Sequence, residues 1–388
     1  MLDDGRSATL PAADQPQFLE SQRSPHLAPT AFTPRMSLAE IGVTDLRCVE
    51  QAELSIAPSL TLLWGDNGSG KTSLLEAMFM LGRGRSFRTR RNERLIKYGH
   101  DRLRVTGRVS RRSGMEQMLG FEVSREGTAA RVNGRLAESL AELSQVFPVQ
   151  VIEPGVHRLV EEGGYRRRRW LDWAVFHVEP RFMETWLRYT RALKQRNAAL
   201  KHPGTGAGAW DQELARLGES IAESRRHLLE QLRPYWHETV MALSGLEVEL
   251  HYQRGWSQDQ TLIEALRGSR ARDELRQVTH TGPHRADVAM SLYGRPARDV
   301  LSRGQQKLVA AAMTVAQLRL LQDTTQAAPT LLLDDPAAEL DGARLERFIA
   351  QVAQLRCQLV VTSLQPGSRL FGTPERTFRV EDGRVQPV

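Results

Sequence analysis

The sequence predicts an α/β fold in which a mixed-sheet domain is interrupted by a mainly helical second lobe. Three observations predict it. Short apolar runs and evenly spaced apolar residues dominate 36–150. Apolar residues then recur at three and four positions through about 274. Apolar runs typical of buried parallel strands return at Leu331–Leu333 and Leu359–Val361. Periods of two and of 3.6 belong to strands and helices respectively. The split domain is therefore 36–150 with 275–388, and the helical lobe is 151–274.

Taken in order, residues 1–35 carry Pro11, Pro16, Pro25, Pro29 and Pro34 and show no periodicity, so a disordered extension is expected. Ordered-looking sequence starts at Met36, a candidate native start. Leu60–Trp64 is an apolar run that ends in glycine. Leu103, Val105 and Val109 sit at even spacing, as do Phe121 and Val123. Asn133-Gly134 is a two-residue hairpin signal, since both positions tolerate positive φ. Met183, Trp186, Leu187, Thr190 and Leu193 form one helical face, which Pro203-Gly204 ends. A second helix is expected from about Trp210 to Arg233, stopping before Pro234. Leu246, Val248, Leu250 and Tyr252 alternate as a strand. Asp382-Gly383 joins a terminal hairpin.

Composition narrows the class. Lys+Arg total 53 against 46 Asp+Glu, a net charge of +7 that is compatible with a polyanionic partner. The two cysteines, Cys48 and Cys357, form no CxxC pair, which argues against a disulfide framework or structural zinc and fits a reducing cytoplasm. No run of eighteen apolar residues exists, so no membrane span is expected. No charged segment followed by an apolar run marks a secretory signal.

Gly65, Asp66, Asn67, Gly68, Ser69, Gly70, Lys71 and Thr72 spell GxxxxGK[ST], a P-loop. Phosphates need backbone N–H groups in a concave turn, and glycines permit that turn. Lys71 would reach the β- and γ-phosphates of ATP, and the Thr72 hydroxyl would ligate Mg²⁺. An apolar strand precedes the loop. A helix follows, with Leu74, Leu75, Met78 and Phe79 on one side. Leu331–Asp335 supplies the second half of such a site: a buried strand ending in acids. Asp334 would hold Mg²⁺ and Asp335 would orient or polarise the attacking water. Alone, that run reads equally as a strand-end acid capping a turn.

Leu301–Lys307 (LSRGQQK) precedes a helix through Leu308, Ala312, Val315 and Leu318, with Ser302 as its N-cap. Read alone it is a capped helix. After a P-loop and a long insertion it resembles the ABC signature LSGGQ, which in that superfamily contacts the γ-phosphate bound by a second subunit. The fold class becomes a P-loop NTPase head of the ABC type. An ATP-dependent homodimer follows, with Ser302 and Gly304 meeting nucleotide across the interface.

Seven strings, in order, make the resemblance more specific: GDNGSGKTSLLEA (65–77), GRGRSFR (82–88), YRRRRWLDW (165–173), LKQRNAALK (193–201), TGPHRAD (281–287), LSRGQQK (301–307) and LLLDDPAAELD (331–341). The chain resembles the RecF family of bacterial recombination and repair ATPases from Met36 nearly to its end. That resemblance implies ATP binding with slow hydrolysis, ATP-dependent dimerisation, DNA binding, and work with RecO and RecR in loading recombinase at single-strand gaps and in SOS induction. It places Gln150 at a family glutamine between the lobes near the nucleotide. Arg47 falls at the arginine of an early family string that here reads Leu46-Arg47-Cys48. Glu339 and Asp341 match an acidic loop after the second motif. Thr362-Ser363 stands where transporter ATPases carry a switch histidine, which points to slow hydrolysis.

DNA contact has two candidate clusters. Arg83, Arg85, Arg88, Arg90, Arg91 and Arg94 flank Phe87, and Arg166–Arg169 adjoin Trp170. Guanidinium groups bind phosphate without sequence preference. Arg88, Arg90 and Arg91 are the residues singled out, against the plainer reading of a solvated or ion-paired face. Two rivals share the motifs. A transporter ATPase subunit needs a shorter chain than the 231 residues from Lys71 to Ser302. A small-molecule P-loop kinase needs neither the signature string nor a dimer.

Overall fold

A computed structural model describes residues 36–111, 114–202, 206–325 and 329–388. The expected disordered extension at 1–35 and the Pro203-Gly204 helix stop lie outside the described residues. β1 (Met36–Leu46), β2 (Val49–Ser55) and β3 (Leu60–Trp64) lead into α1 (Lys71–Arg83). Next come β4 (Arg102–Arg111), β5 (Glu116–Ser124), β6 (Gly127–Val132), β7 (Arg135–Leu136), α2 (Leu140–Val146) and β8 (Val149–Ile152). Helices then dominate: α3 (Arg158–Glu161), α4 (Gly164–Val178), α5 (Phe182–Ala199), α6 (Asp211–Ser244), β9 (Glu249–Gln253), α7 (Leu262–Gly268) and α8 (Arg270–Arg276). The last stretch holds β10 (Asp287–Leu292), β11 (Arg295–Pro296), α9 (Ala297–Val300), α10 (Arg303–Thr325), β12 (Thr330–Leu333), α11 (Pro336–Glu339), α12 (Gly342–Ala353), β13 (Gln358–Ser363), β14 (Arg376–Glu381) and β15 (Arg384–Pro387).

These strands make three sheets, ordered β2-β1-β4-β5-β6-β7, β15-β14-β3-β13-β12-β8 and β11-β10-β9. The first is antiparallel and one-sided. Its inner residues, such as Val105, Phe121 and Val123, are buried. Its outer face is charged: Arg104 pairs with Glu122, and Arg108 with Glu40 and Glu116. The second sheet is parallel from β14 to β8 and covered on both faces. Leu332 and Val360 join α1 in one core, while Leu331, Leu333, Leu359 and Val361 join α10 and α12 in the other. Double burial is why those strands read as unbroken apolar runs. Both two-residue hairpins form with positive φ, at Asn133 and Gly134 (50° and 81°) and at Asp382 and Gly383 (48° and 77°).

The third sheet pairs a strand inside the helical stretch, β9, with two strands that follow it, β10 and β11. Leu250 on β9 pairs with Met290 on β10, so the chain beyond residue 274 first completes this sheet and then returns to the parallel one. No described helix is long and apolar enough to cross a membrane.

Two expectations need correction. The second long helix does not stop before Pro234, since α6 runs from Asp211 to Ser244 with Pro234 inside it. An interior proline costs an isolated helix about 3 kcal/mol. Packing outweighs it here: Leu228, Leu232, Trp236, Val240 and Leu243 are buried on both sides of the proline. Trp236 Nε1 also donates to the Val248 carbonyl at 2.6 Å. The strand expected from Leu246 starts later, at Glu249.

Candidate nucleotide site and basic surface

β3 delivers the chain to Gly65, where φ is 155° and a Cβ would lie 2.1 Å from the Val380 carbonyl. Only glycine lets the loop pass β14 there. At Gly70, φ is 115° and a Cβ would meet Cys48 Sγ at 3.2 Å. Gly70 is the N-cap of α1, with no side-chain cap and no acid in the first turn. The helix thus offers its N-terminal N–H groups to an anion. Among the described residues the buried Ser69 hydroxyl has no hydrogen-bond partner, the kind of orphan a phosphate oxygen satisfies.

Lys71 is buried and folds back on the loop, donating to the carbonyls of Gly65 (2.6 Å) and Asp66 (2.8 Å). Burial lowers its pKa, and nearby Asp335, Asp334 and Asp66 act against that fall. Thr72 Oγ1 lies 3.0 Å from both oxygens of Asp334. The two sequence motifs, 262 residues apart, therefore meet. Burial raises the Asp334 pKa, while hydroxyl donors from Thr362 and Thr72 and the charges of Arg88 and Lys71 hold it down. Asp335 follows in a left-handed conformation, φ 45° and ψ 58°.

Thr362 was legible only as the missing switch histidine. In the fold its hydroxyl donates to Asp334 Oδ1 (2.9 Å) and accepts the Asp335 N–H (2.8 Å). Glu76 and Ser86 lie inside two of the seven strings, but nothing in the sequence singled either out for a role. The fully buried Glu76 carboxylate accepts from Arg47 Nε at 2.6 Å and from the Ser86 hydroxyl. Ser86 Oγ in turn accepts the N–H groups of Arg88 and Thr89, both at 2.9 Å. This fixes the loop after α1 to the P-loop helix itself. Arg47 is thereby occupied with Glu76.

Other expected residues lie apart. Among the described residues, no hydrogen bond joins Gln150 to Gly65–Thr72. Gln150 pairs with Leu331 on β12, three residues short of Asp334, or about 10 Å along a strand. Its amide donates to Gln317 at 2.6 Å, and Gln317 donates to the Trp170 carbonyl. Ser302 is exposed and forms a reciprocal cap with Gln305 at the start of α10. Among the described residues, neither Ser302 nor Gly304 hydrogen-bonds to Gly65–Thr72, Asp334 or Asp335 in the same chain. Asp341 caps α12 through the Arg344 N–H, and the Glu339 side chain lies outside what is described.

The arginine clusters divide. Arg88, Arg90 and Arg91 are exposed. Arg83 is not available: it stacks on Phe79 and Trp173, and burial pushes its pKa down to about 9. The second cluster is engaged with the protein, Arg167 buried and the other three half-buried. Arg167 is bidentate to Asp287 at 2.8 Å and also reaches the carbonyls of Leu159, Val160 and Glu162. Arg168 donates to the Ala286 carbonyl and Arg166 pairs with Glu162. Arg169 donates to Tyr165 Oη at 2.9 Å. Its ring neighbour is shared, since Arg90 lies 4.9 Å from the Tyr165 centroid.

Known proteins resemble this chain. The model of the RecF/RecN/SMC N-terminal domain matches residues 37–383. The DNA replication and repair protein RecF of Pseudomonas aeruginosa is 40% identical over 360 residues, covering 90% of this chain and 97% of that protein. RecF of Pseudomonas syringae pv. syringae is 40% identical over 359 residues, covering 90% of this chain and 98% of that one. The solved structure of the recombination mediator protein RecF with ATP, of the RecFOR pathway, superposes with a TM-score of 0.83 at 27% identity, covering 92% of this chain and 99% of that chain. An Smc head bound to the C-terminal winged-helix domain of ScpA gives 0.54 at 17% identity over 90% of this chain and 96% of that one, a likeness of fold alone. With the P-loop, the acid pair and this extent of identity together, the chain belongs to the RecF family of DNA replication and repair proteins.

Proposed function

We propose that the chain is an ATP-dependent DNA-binding protein of recombinational repair, with slow, DNA-stimulated hydrolysis of ATP to ADP and phosphate. The carrying observation is the meeting of Thr72 with Asp334 beside a P-loop whose Ser69 hydroxyl is orphaned. Gly65–Thr72 would bind the phosphates, with Lys71 leaving its carbonyl partners for them. Thr72 and Asp334 would hold Mg²⁺, which when bound supplies positive charge against the phosphates. Asp335 would orient water. Ser302 and Gly304, at the exposed start of α10, would close the site of a second copy, giving two composite sites per dimer. Arg88, Arg90 and Arg91 would contact DNA phosphates.

Family kinship supports the wider role: loading of recombinase at single-strand gaps and SOS induction, with RecO and RecR as partners. The transporter-subunit reading draws no support from these relatives. A test compares the wild type with Lys71→Met on gapped, single-stranded and duplex DNA, with and without ATP. ATP should tighten binding by the wild type and leave Lys71→Met unmoved. ATP-independent binding by both proteins would break the proposal.

A further inference from the structure

We propose that Thr362 is a positioning residue for both acids of the nucleotide site, holding Asp334 and Asp335 through one hydroxyl. The assignment rests on the reading of Gly65–Thr72 as an ATP site. Pairing of Leu333 with Val361 brings the end of β13 beside the acids that follow β12. There the Thr362 side chain is buried, at 1% exposure.

A threonine hydroxyl has one proton to give and two lone pairs to receive with. The proton has a near acceptor in Asp334 Oδ1 at 2.9 Å, while the Leu333 carbonyl is at 3.5 Å. A lone pair takes the Asp335 N–H at 2.8 Å. Both contacts have a reason to exist. Asp335 has φ 45°, a region L-residues disfavour, so its peptide needs an external partner to stay there. Asp334 has two hydroxyl partners, Thr72 and Thr362. Thr72 is itself a proposed metal ligand and would turn from the carboxylate to the ion. Thr362 is not, so its bond is the one that keeps Asp334 aimed both with and without metal. Groups that orient a metal ligand in this way are part of the metal site's affinity.

A buried threonine that merely satisfied its own hydroxyl would affect stability and nothing else. The test therefore reads Mg²⁺ dependence. ATP binding to the full-length chain is titrated with Mg²⁺, and repeated in EDTA, for the wild type, Thr362→Val and Thr362→Ser. Loss of a ligand-orienting hydrogen bond lowers metal affinity about 10-fold or more. Thr362→Val should need about that much more Mg²⁺ for its half-maximal effect, with ATP binding in EDTA unchanged. Thr362→Ser should behave as the wild type. Mn²⁺ held in the protein–ATP complex, read by electron paramagnetic resonance, should follow the same order. An unchanged Mg²⁺ requirement in Thr362→Val overturns the assignment, as does a Thr362→Ser equally impaired. If Thr362→Val does not fold, Thr362→Ala carries the same comparison. A wild type that binds no ATP with or without Mg²⁺ would overturn the nucleotide reading itself.

Discussion

Arg88, Arg90 and Arg91 stand in solvent on a loop, whereas Arg167 and Arg168, from a denser run of the same residue, point into the protein. The difference comes from what lies opposite each. The loop after α1 is tied down by Ser86 and by Phe87 against Phe79, so its arginines stay at the surface, with Arg90 over the exposed Tyr165 ring. The run 166–169 sits in the first half of α4, and that helix packs against α6, α10 and β10. Helical spacing sends consecutive residues to different faces. Arg167 thus meets Asp287 and is buried, while Arg166, Arg168 and Arg169 are half-buried, with Arg168 on the Ala286 carbonyl. One cluster presents charge and the other holds the start of β10 in place.

The largest effect should come from the buried side of this comparison. Removing one partner of a buried ion pair costs about 3–5 kcal/mol, because the other charge is stranded. Arg167→Ala leaves Asp287 unpaired and also removes the donor to three carbonyls. Urea denaturation should show a loss of that order, whereas Arg91→Ala should change stability by less than about 0.5 kcal/mol. Equal effects would erase the distinction between the clusters.

His177 sharpens the same contrast through pH. It packs edge-on against Trp173 and Phe176, and burial, then the charge of Arg83, lowers its pKa to about 3. A histidine with a depressed folded-state pKa takes up its proton in the unfolded chain first. Its stabilising contribution is therefore complete above pH ~6.5 and declines as the pH falls from there towards the folded value. Between pH 7 and 5 the loss is about 2 kcal/mol. His177→Phe, similar in shape and unable to protonate, should flatten that part of the stability profile. A slope unchanged by the substitution would place the acid sensitivity elsewhere.

How much could be read beforehand follows from how local the chemistry is. Gly65–Thr72 and Leu331–Asp335 were legible because each motif is contiguous, and phosphate and metal binding prescribe its residues. Thr362 was visible only as a departure from another pattern. Its role depends on the register between β12 and β13, which no local rule supplies. Gln150 was placed by analogy, and Gln317, 167 residues away, claimed its side chain. Pro234 misled because a local helix rule ignores the buried contacts on either side of it. The two arginine runs could not be told apart for a related reason: composition counts charges and says nothing of the acids and carbonyls that folding brings to them.

The smallest effect on stability should be the largest on DNA, and it decides whether exposure of the first cluster has a purpose. Arg90→Glu with Arg91→Glu alters two exposed side chains. Arg90 loses its contact with Tyr165, a cation–π term of about 0.5–1 kcal/mol at an exposed site, and Arg91 has no aromatic partner among those described. The fold should tolerate both. If each arginine neutralises one phosphate, reversing the pair removes about two units from the slope of log affinity against log salt. Affinity for DNA should fall by about 10-fold or more at low salt and converge on the wild type at high salt. ATP affinity should be kept, because neither residue touches Gly65–Thr72. Arg166→Ala is the control, a basic residue of the second cluster already paired with Glu162. It should leave the slope within about half a unit of the wild type. A slope that moves with Arg166 and not with Arg90 and Arg91 would exchange the roles assigned to the two clusters.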